Sequence, residues 1–247
     1  MNKSIQREGF AARMNNDAVV AYRAILNKKK CALFFKRAFD IAVSLLLLLI
    51  LSPAILIISV MIKADSPGSI IFRQERITKN GKPFYIYKFR TMVQNAEALG
   101  SQVTVDHDMR ITRVGSRLRR CRLDEILQLL NILKGDMTFV GTRPEVRKYV
   151  EAYSDEMLAT LLLPAGVTSL ASICYKDEGA LLKEAANADE TYINEILPKK
   201  MKYNLEYIKC FGFWYDIKIM LMTVLAVCGV DFAGNNAKDK EEVKIGG

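Results

Sequence analysis

The dominant feature of the hydrophobic pattern is an uncharged run, IAVSLLLLLILSPAILIISVMI, from Ile41 to Ile62. As a straight helix rising about 1.5 Å per residue it would reach roughly 33 Å, enough for a bilayer core. It is too long and too deep in the chain for a secretory signal, and no small-residue cleavage site follows it. Ser52-Pro53 splits it near the middle. Proline removes a helix hydrogen bond, so a kink is expected there, with Ser52 able to bond a freed carbonyl. Both flanks are basic: Lys28, Lys29, Lys30, Lys36 and Arg37 before the run, and Lys63, Arg73, Arg76 and Lys79 after it. The positive-inside rule places such flanks on the cytoplasmic face. A plain kinked span satisfies one flank, and a helix that bends and returns satisfies both. Asp40 at the entry is expected to pair with Lys36 or Arg37 one turn away.

Period-two alternation follows. IIFRQERI and FYIYKFRTM flank TKNGKP, which predicts a β-hairpin turning at Asn80-Gly81. Residues 93–100 read as helix and TVDHDMRIT as loop. Leu123, Ile126, Leu127 and Leu130 then form the stripe of a helix expected from Arg122 to Leu133, stopped by Gly135. In MTFVGTRPE, Thr142 and Glu145 have capping-box spacing with Pro144 in the first turn. That predicts a helix start with Arg143 at its anion-favouring end. LPAGVTSLASI reads as a loop leading into a short extended piece, and residues 178–210 as helical with a break at Pro198. Ile219 to Val230 is uncharged but too short to span, so this last helix is expected at the interface, with Trp214 and Tyr215 at headgroup level. Near the start, DAVVAYRAIL reads as a short helix and NKKK as a headgroup contact. The expected divisions are an N-terminal extension (1–35), a membrane helix (36–64), a cytoplasmic-face catalytic domain (65–232) and a disordered tail (233–247).

Composition narrows the chemistry. The 247 residues carry a net charge of +9 and are 51% hydrophobic. A basic chain suits nucleic acid, anionic lipid or phosphorylated substrates. The aromatics do not interleave with the arginines as a stacking platform requires, which argues against nucleic acid. The single histidine, His107, makes a histidine triad or multi-histidine metal site improbable. The five cysteines form no CxxC pair and fit reduced thiols facing a cytosol. Carboxylates and cations must therefore carry any chemistry.

The candidate is CRLDEILQLLNILKGD. Asp124 and Glu125 are adjacent carboxylates at a predicted helix start, behind Arg117, Arg119, Arg120 and Arg122. Acids in a first turn are commonly just dipole complements. Here they sit among more positive charge than capping needs, close to Arg143 and on a chain with a membrane helix. Arginines and helix N-termini hold diphosphates, and a carboxylate kept ionised by them can attack phosphorus. A divalent cation, by default Mg2+, would bring the two anions together, with Glu125 positioning it or the nucleophile. Arg73, Arg76, Lys88 and Arg90 on the hairpin either line the same anion site or form a solvated face. A non-enzymatic alternative is a membrane-anchored basic docking module.

Five blocks occur in order: KRAFDIAVSLLLLLILSP, GSIIFRQERITKNGKPFYIYKFRTM, RLRRCRLDEILQLLNILKGDMTFVGTRPE, LPAGVTSLASI and YNLEYIKCFGFWYDIKIMLMT. Together, over about residues 36–225, they resemble the bacterial sugar transferases, the monotopic phosphoglycosyl transferases. The resemblance implies an α+β, mostly helical monotopic fold with amphipathic interfacial helices. Its membrane helix would be re-entrant and broken at Ser52 and Pro53. The implied reaction moves a sugar-1-phosphate from a UDP-sugar to undecaprenyl phosphate, releasing UMP, at the cytoplasmic face of the bacterial inner membrane. It would be the first membrane step of glycoconjugate or exopolysaccharide synthesis. Asp124 would be the covalent nucleophile beside Glu125, both binding Mg2+. Arg119, Arg143 and Pro144, with Lys88, Arg90 and Arg73, would form the phosphate-binding set. Inner-membrane lipid and a second copy of the chain are the remaining expected partners, and nucleic acid is not one. Two departures stand out. Thr142 replaces the usual proline before Arg143-Pro144, and SLASI follows GVT where the family commonly has Gly-Trp-Ala-Gln. The latter loop is expected to bear on sugar choice. The long N-terminal membrane region of larger members is not seen, so the expectation is the small form with an extension.

Overall fold

A computed structural model describes residues 9–94, 96, 108–175 and 187–230. Most of the helix expected over 93–100 falls outside them, as do His107 and the tail 233–247. Nine helices of the described residues are α1 (Asp17–Asn27), α2 (Lys30–Asp65), α3 (Arg113–Arg120), α4 (Gln128–Lys134), α5 (Arg147–Glu151), α6 (Leu170–Cys174), α7 (Ala188–Thr191), α8 (Leu197–Cys210) and α9 (Phe213–Val227). The strands are β1 (Ile71–Thr78), β2 (Lys82–Phe89), β3 (Met137–Val140) and β4 (Ala165–Thr168). The architecture is mostly helical, with two small two-stranded sheets.

Helix α2 is the one described helix long and apolar enough to cross a membrane. It runs unbroken for 36 residues, with Pro53 inside it. At the proline the freed carbonyl finds the partner expected of Ser52. Pro53 cannot donate to the Leu49 carbonyl, and the Ser52 hydroxyl donates to that carbonyl instead, at 2.8 Å. Lys36, Asp40, Ser44, Ile58 and Ile62 are buried, and Leu47, Leu48, Leu51 and Ile55 pack on the cores between them. These positions recur at helical spacing in one phase across Pro53, so one stripe of α2 lies on the rest of the protein from end to end. Phe34, Phe35, Leu45, Leu46, Leu49, Ile50, Leu56, Ile57 and Val60 are exposed on the other side.

The expected ion pair within α2 does not form. Asp40 accepts from the Thr138 hydroxyl at 2.7 Å and the Phe139 amide at 3.3 Å. Lys36 reaches Asp216 of α9 at 2.6 Å. Arg37 donates to the Ile132 and Leu133 carbonyls at the end of α4. An exposed i,i+4 pair contributes only about 0.3–0.5 kcal/mol, so buried tertiary partners win.

Helix α1 packs into the body of the protein. Val19, Tyr22 and Leu26 of α1 are buried in the largest core with Tyr153, Leu158, Met201 and Ile208. Lys29, expected at lipid headgroups, instead donates to the Lys209 and Phe211 carbonyls that end α8. The hairpin forms as expected: β1 and β2 pair antiparallel from Ile71–Phe89 to Thr78–Lys82, and Asn80 and Gly81 both take positive φ. Strands β3 and β4, whose parallel pairing local pattern did not reveal, join Met137 to Ala165 and Val140 to Thr168. Pro198 does not break its helix. A wide π-turn at Tyr192–Ile196, in which the Leu197 amide bonds the Tyr192 carbonyl, precedes it and runs into α8. Trp214 is exposed at the start of α9, while Tyr215 is half-buried against Tyr207.

Candidate active site

Asp124 and Glu125 do not open the predicted helix. They lie in a single 3-10 turn, Leu123–Glu125, between α3 and α4. Arg122 enters that turn in the left-handed conformation (φ 55). The turn is fixed from both sides: Leu118 and Leu127 pack with Ile58 and Ile62 of α2, and Leu129 and Ile132 pack with Phe84 and Ile86 of β2.

Asn131 sets the distance to the hairpin. Its buried amide donates to the Tyr85 carbonyl at 2.8 Å and accepts from the Tyr87 amide at 3.0 Å. It pairs with the free edge of β2 as a neighbouring strand would. The next residue, Lys88, thereby meets Glu125 at 2.7 Å. On the other side Arg143 reaches the same Glu125 oxygen, Oε1, also at 2.7 Å.

Arg143 is not at a helix start. Helix α5 begins only at Arg147, with no side-chain cap, and Glu145 is buried, accepting from the Tyr192 hydroxyl 3.8 Å from Lys200. The capping box fails because Pro144 favours extended backbone at Arg143 and Glu145 has stronger partners inside. What holds the Arg143 loop is a close crossing of β3 and β4. The Gly141 amide bonds the Thr168 carbonyl, the Gly166 amide bonds the Thr142 carbonyl, and a Cβ on Gly166 would come within 2.1 Å of the Gly141 oxygen. Pro144 contributes its carbonyl to Arg76 at 3.2 Å.

Arg119 is half-buried beside the turn, and its Nε donates to the Thr91 hydroxyl at 2.9 Å. Burial lowers its pKa, against the pull of Asp124. Two expected phosphate ligands lie elsewhere. Arg90 is buried and ties down the Ser66-Pro67 turn after α2 through three hydrogen bonds. Arg73 is exposed and rests over the Tyr87 ring on the cross-strand position.

The two carboxylates are electrostatically unequal. Burial would raise the Glu125 pKa, but Arg143 and Lys88 overcome it and hold the group well below the usual carboxylate range. Asp124 is displaced upward, by burial first and by Glu125 second, with Lys88 and Arg119 only partly compensating. Of the two carboxylates, Glu125 is the one the cations favour more strongly as an anion, and the pull of Lys88 and Arg119 on Asp124 is weaker than its burial. The described residues place no cluster of three or more His, Cys, Asp or Glu that could hold a metal. Two adjacent carboxylates still fit Mg2+, which binds through one or two carboxylates plus substrate phosphates.

Glu125 and Arg143 open onto a cavity of about 610 Å³. Its lining is partly apolar, with Leu47 and Leu51 of α2, Leu129, Phe139, and Ala226 and Val227 of α9, and partly basic, with Arg120, Arg122 and Lys200. Ser172 and Ile173 also line it; SLASI is not the loop and extended piece expected but forms α6, capped by the Ser169 hydroxyl accepting from the Ser172 amide. Gln128, which in the sequence is one polar position of a helix, is 1% exposed, lines the cavity, and has neither amide atom hydrogen-bonded. An unpaired buried amide costs about 1–3 kcal/mol. Gln128→Leu is therefore expected to raise the midpoint of thermal unfolding, by a few degrees, and a fall in that midpoint would refute the assignment.

Comparison with known proteins places these features. The family model for bacterial sugar transferases matches residues 31–229. An Aeromonas hydrophila UDP-N-acetylgalactosamine-undecaprenyl-phosphate N-acetylgalactosaminephosphotransferase is 37% identical over 78% of this chain and 44% of its own. An Escherichia coli UDP-glucose:undecaprenyl-phosphate glucose-1-phosphate transferase is 37% identical over 76% of this chain and 39% of its own. A Caulobacter vibrioides protein of the latter description is 34% identical over 80% of this chain and 71% of its own. The chain thus spans about two fifths of the length of the first two relatives. With its carboxylate pair, clamping cations and apolar helix inside the matched region, the chain belongs to the bacterial sugar transferase family.

Proposed function

We propose that this chain transfers a sugar-1-phosphate from a UDP-sugar to a polyprenyl phosphate, undecaprenyl phosphate as in its relatives' names. The observation that carries the reading is the Asp124–Glu125 turn, in which Glu125 is pinned by Lys88 and Arg143 and lines a cavity shared with Leu47 and Leu51 of α2. An Asp124 oxygen attacks the β-phosphorus of the UDP-sugar. The bond from that phosphorus to the bridging oxygen breaks, and UMP leaves with the oxygen and its electrons. A phosphate oxygen of the lipid then attacks the same phosphorus, and the acyl-phosphate bond breaks to restore the carboxylate. Arg143 and Lys88 orient the diphosphate, Glu125 holds those two cations in place, and Arg119 offsets charge at Asp124. Mg2+, held by Asp124 and Glu125 with the diphosphate, would supply the charge neutralisation that lets two anions meet.

The end-to-end stripe of α2 supports a monotopic, re-entrant placement at the cytoplasmic face of the bacterial inner membrane. Arg37 near one end and Asp65 at the other, which accepts from the Val114 amide, both bind the same body of the protein. With Cys31 and a Ser69→Cys variant as reporters and the other cysteines replaced by serine, an impermeant maleimide should label both from the cytoplasmic side only. Labelling from opposite sides would exclude this placement. For the reaction, the purified full chain in detergent with Mg2+ and a panel of UDP-sugars is expected to release UMP from at least one of them. Silence across the panel would sink the transferase reading.

A further inference from the structure

We infer that Arg120 and Arg122 form a separate phosphate-binding pair for the lipid acceptor, apart from the Lys88–Arg143 clamp; the inference rests on the transferase reading above. Lys88, Arg90, Arg119 and Arg143 are all committed to partners. Arg120 and Arg122 are exposed, line the cavity, and among the described residues make no side-chain hydrogen bond or ion pair.

The backbone brings Arg122 to this cavity at the expense of strain. It is one of two described non-glycine residues with positive φ, the other being the hairpin turn residue Asn80. The turn holds it there through Arg122 N–H to the Arg119 carbonyl at 3.1 Å and Glu125 N–H to the Arg122 carbonyl at 3.3 Å. A left-handed arginine two residues before the nucleophile is the kind of local strain that accompanies function. Glycine would relieve it but would carry no charge.

The apolar part of the cavity lining specifies the ligand. Leu47 and Leu51 come from α2, and Ala226 and Val227 from α9. Beyond them, Leu46, Leu49 and Ile50 of α2 and Leu225 of α9 present exposed apolar surface. A nucleotide sugar has no use for such a lining. A phosphate monoester on a long hydrocarbon chain uses both parts: its tail runs along α2 and α9, and its head reaches Arg120 and Arg122. Guanidinium groups suit that head, since they can each give two parallel hydrogen bonds to phosphate.

The test separates the two half-reactions. The full chain in neutral phosphatidylcholine nanodiscs is given the UDP-sugar found by the panel, with undecaprenyl phosphate added at graded mole fractions. Arg120→Gln and Arg122→Gln are expected to leave the UMP burst without acceptor within about twofold, while raising the KM for undecaprenyl phosphate about tenfold each. Arg122→Lys should recover part of that loss, and Arg122→Gly none, because charge and not backbone ease is what is missing. An unchanged acceptor KM, or a burst lost in parallel, would overturn the assignment. A wild-type chain that releases no UMP fails the transferase reading alone. In that event, retention of labelled undecaprenyl phosphate by wild type but not by the double glutamine variant upholds the pair, and equal retention refutes it. Equal competition by phosphatidic acid at the same mole fraction would mark a general headgroup site and refute an acceptor site.

Discussion

Asp124→Asn should release no measurable UMP, a loss of about a thousandfold or more, while leaving the protein folded and at least as stable as before. The activity loss follows because an amide cannot form the acyl-phosphate on which both half-reactions depend. The stability expectation follows from electrostatics. Burial and the neighbouring Glu125 raise the Asp124 pKa, so the folded state favours the uncharged carboxyl more than the unfolded state does. Holding it ionised at neutral pH opposes folding, and asparagine removes that opposition at nearly constant shape. Glu125→Gln should behave differently. It strips Lys88 and Arg143 of their shared carboxylate, and the Lys88 pKa is already lowered by burial, so stability should fall by about 1–3 kcal/mol together with activity. Paired UMP-release and thermal-unfolding measurements on the two variants read both differences. A merely structural acid at position 124 would show the reverse pattern, and a basic docking module would show normal membrane localisation with no activity to lose.

The sequence made the features with local causes legible. The hairpin needed only alternation around Asn80-Gly81, the end of α4 only Gly135 in a left-handed cap, and the repair at Pro53 only the serine before it. The acid pair was legible as a candidate from the charge around it, but Lys88 and Arg143 were read as phosphate ligands, and their pairing with Glu125 appears only in the structure. What stayed hidden depends on partners far along the chain. Asn131 reads as one polar position in a helix until β2 arrives to use both ends of its amide. Glu145 has the spacing of a cap, and its preference for Tyr192 and Lys200 involves residues some fifty positions later. Arg90 and Arg73 share strand or flank with Lys88, but side-chain direction and the Ser66-Pro67 turn decide that only Lys88 reaches the pair. Gln128 carried no signal at all, since an unpaired amide is defined by what does not surround it. Charge counting likewise could not rank Asp124 against Glu125: adjacent acids differ only in burial and in which one the cations touch.

Lys36→Ala should be the most destabilising single change in α2, costing about 3–5 kcal/mol and releasing the first half of that helix from the body of the protein. Lys36 is 5% exposed within a closed network. Its ammonium donates to Asp216 at 2.6 Å and to the Val140 carbonyl at 2.8 Å, and Tyr207 donates to the other Asp216 oxygen at 2.7 Å. Removing the lysine strands a buried carboxylate, which is worse than never having had the pair. Burial raises the Asp216 pKa, and Lys36 is the strongest influence pulling it down. In the variant that pKa climbs further, so the folded state binds a proton that the unfolded state, near the ordinary 3.8, does not yet bind. Stability of the variant must then rise as pH falls through the folded pKa towards the unfolded 3.8, and its deficit must be largest at neutral pH and shrink on acidification. Thermal unfolding in detergent from pH 7.5 down to pH 5 checks the sign; a deficit that grows on acidification would rule out a stranded carboxylate as its cause. Lys36→Met combined with Asp216→Leu removes both charges at similar volume and should recover most of the loss. That recovery would separate the electrostatic role of the pair from its packing. It would also show that α2 is kept on the domain by an apolar stripe, with the ion pair fixing which residue of α9 it meets.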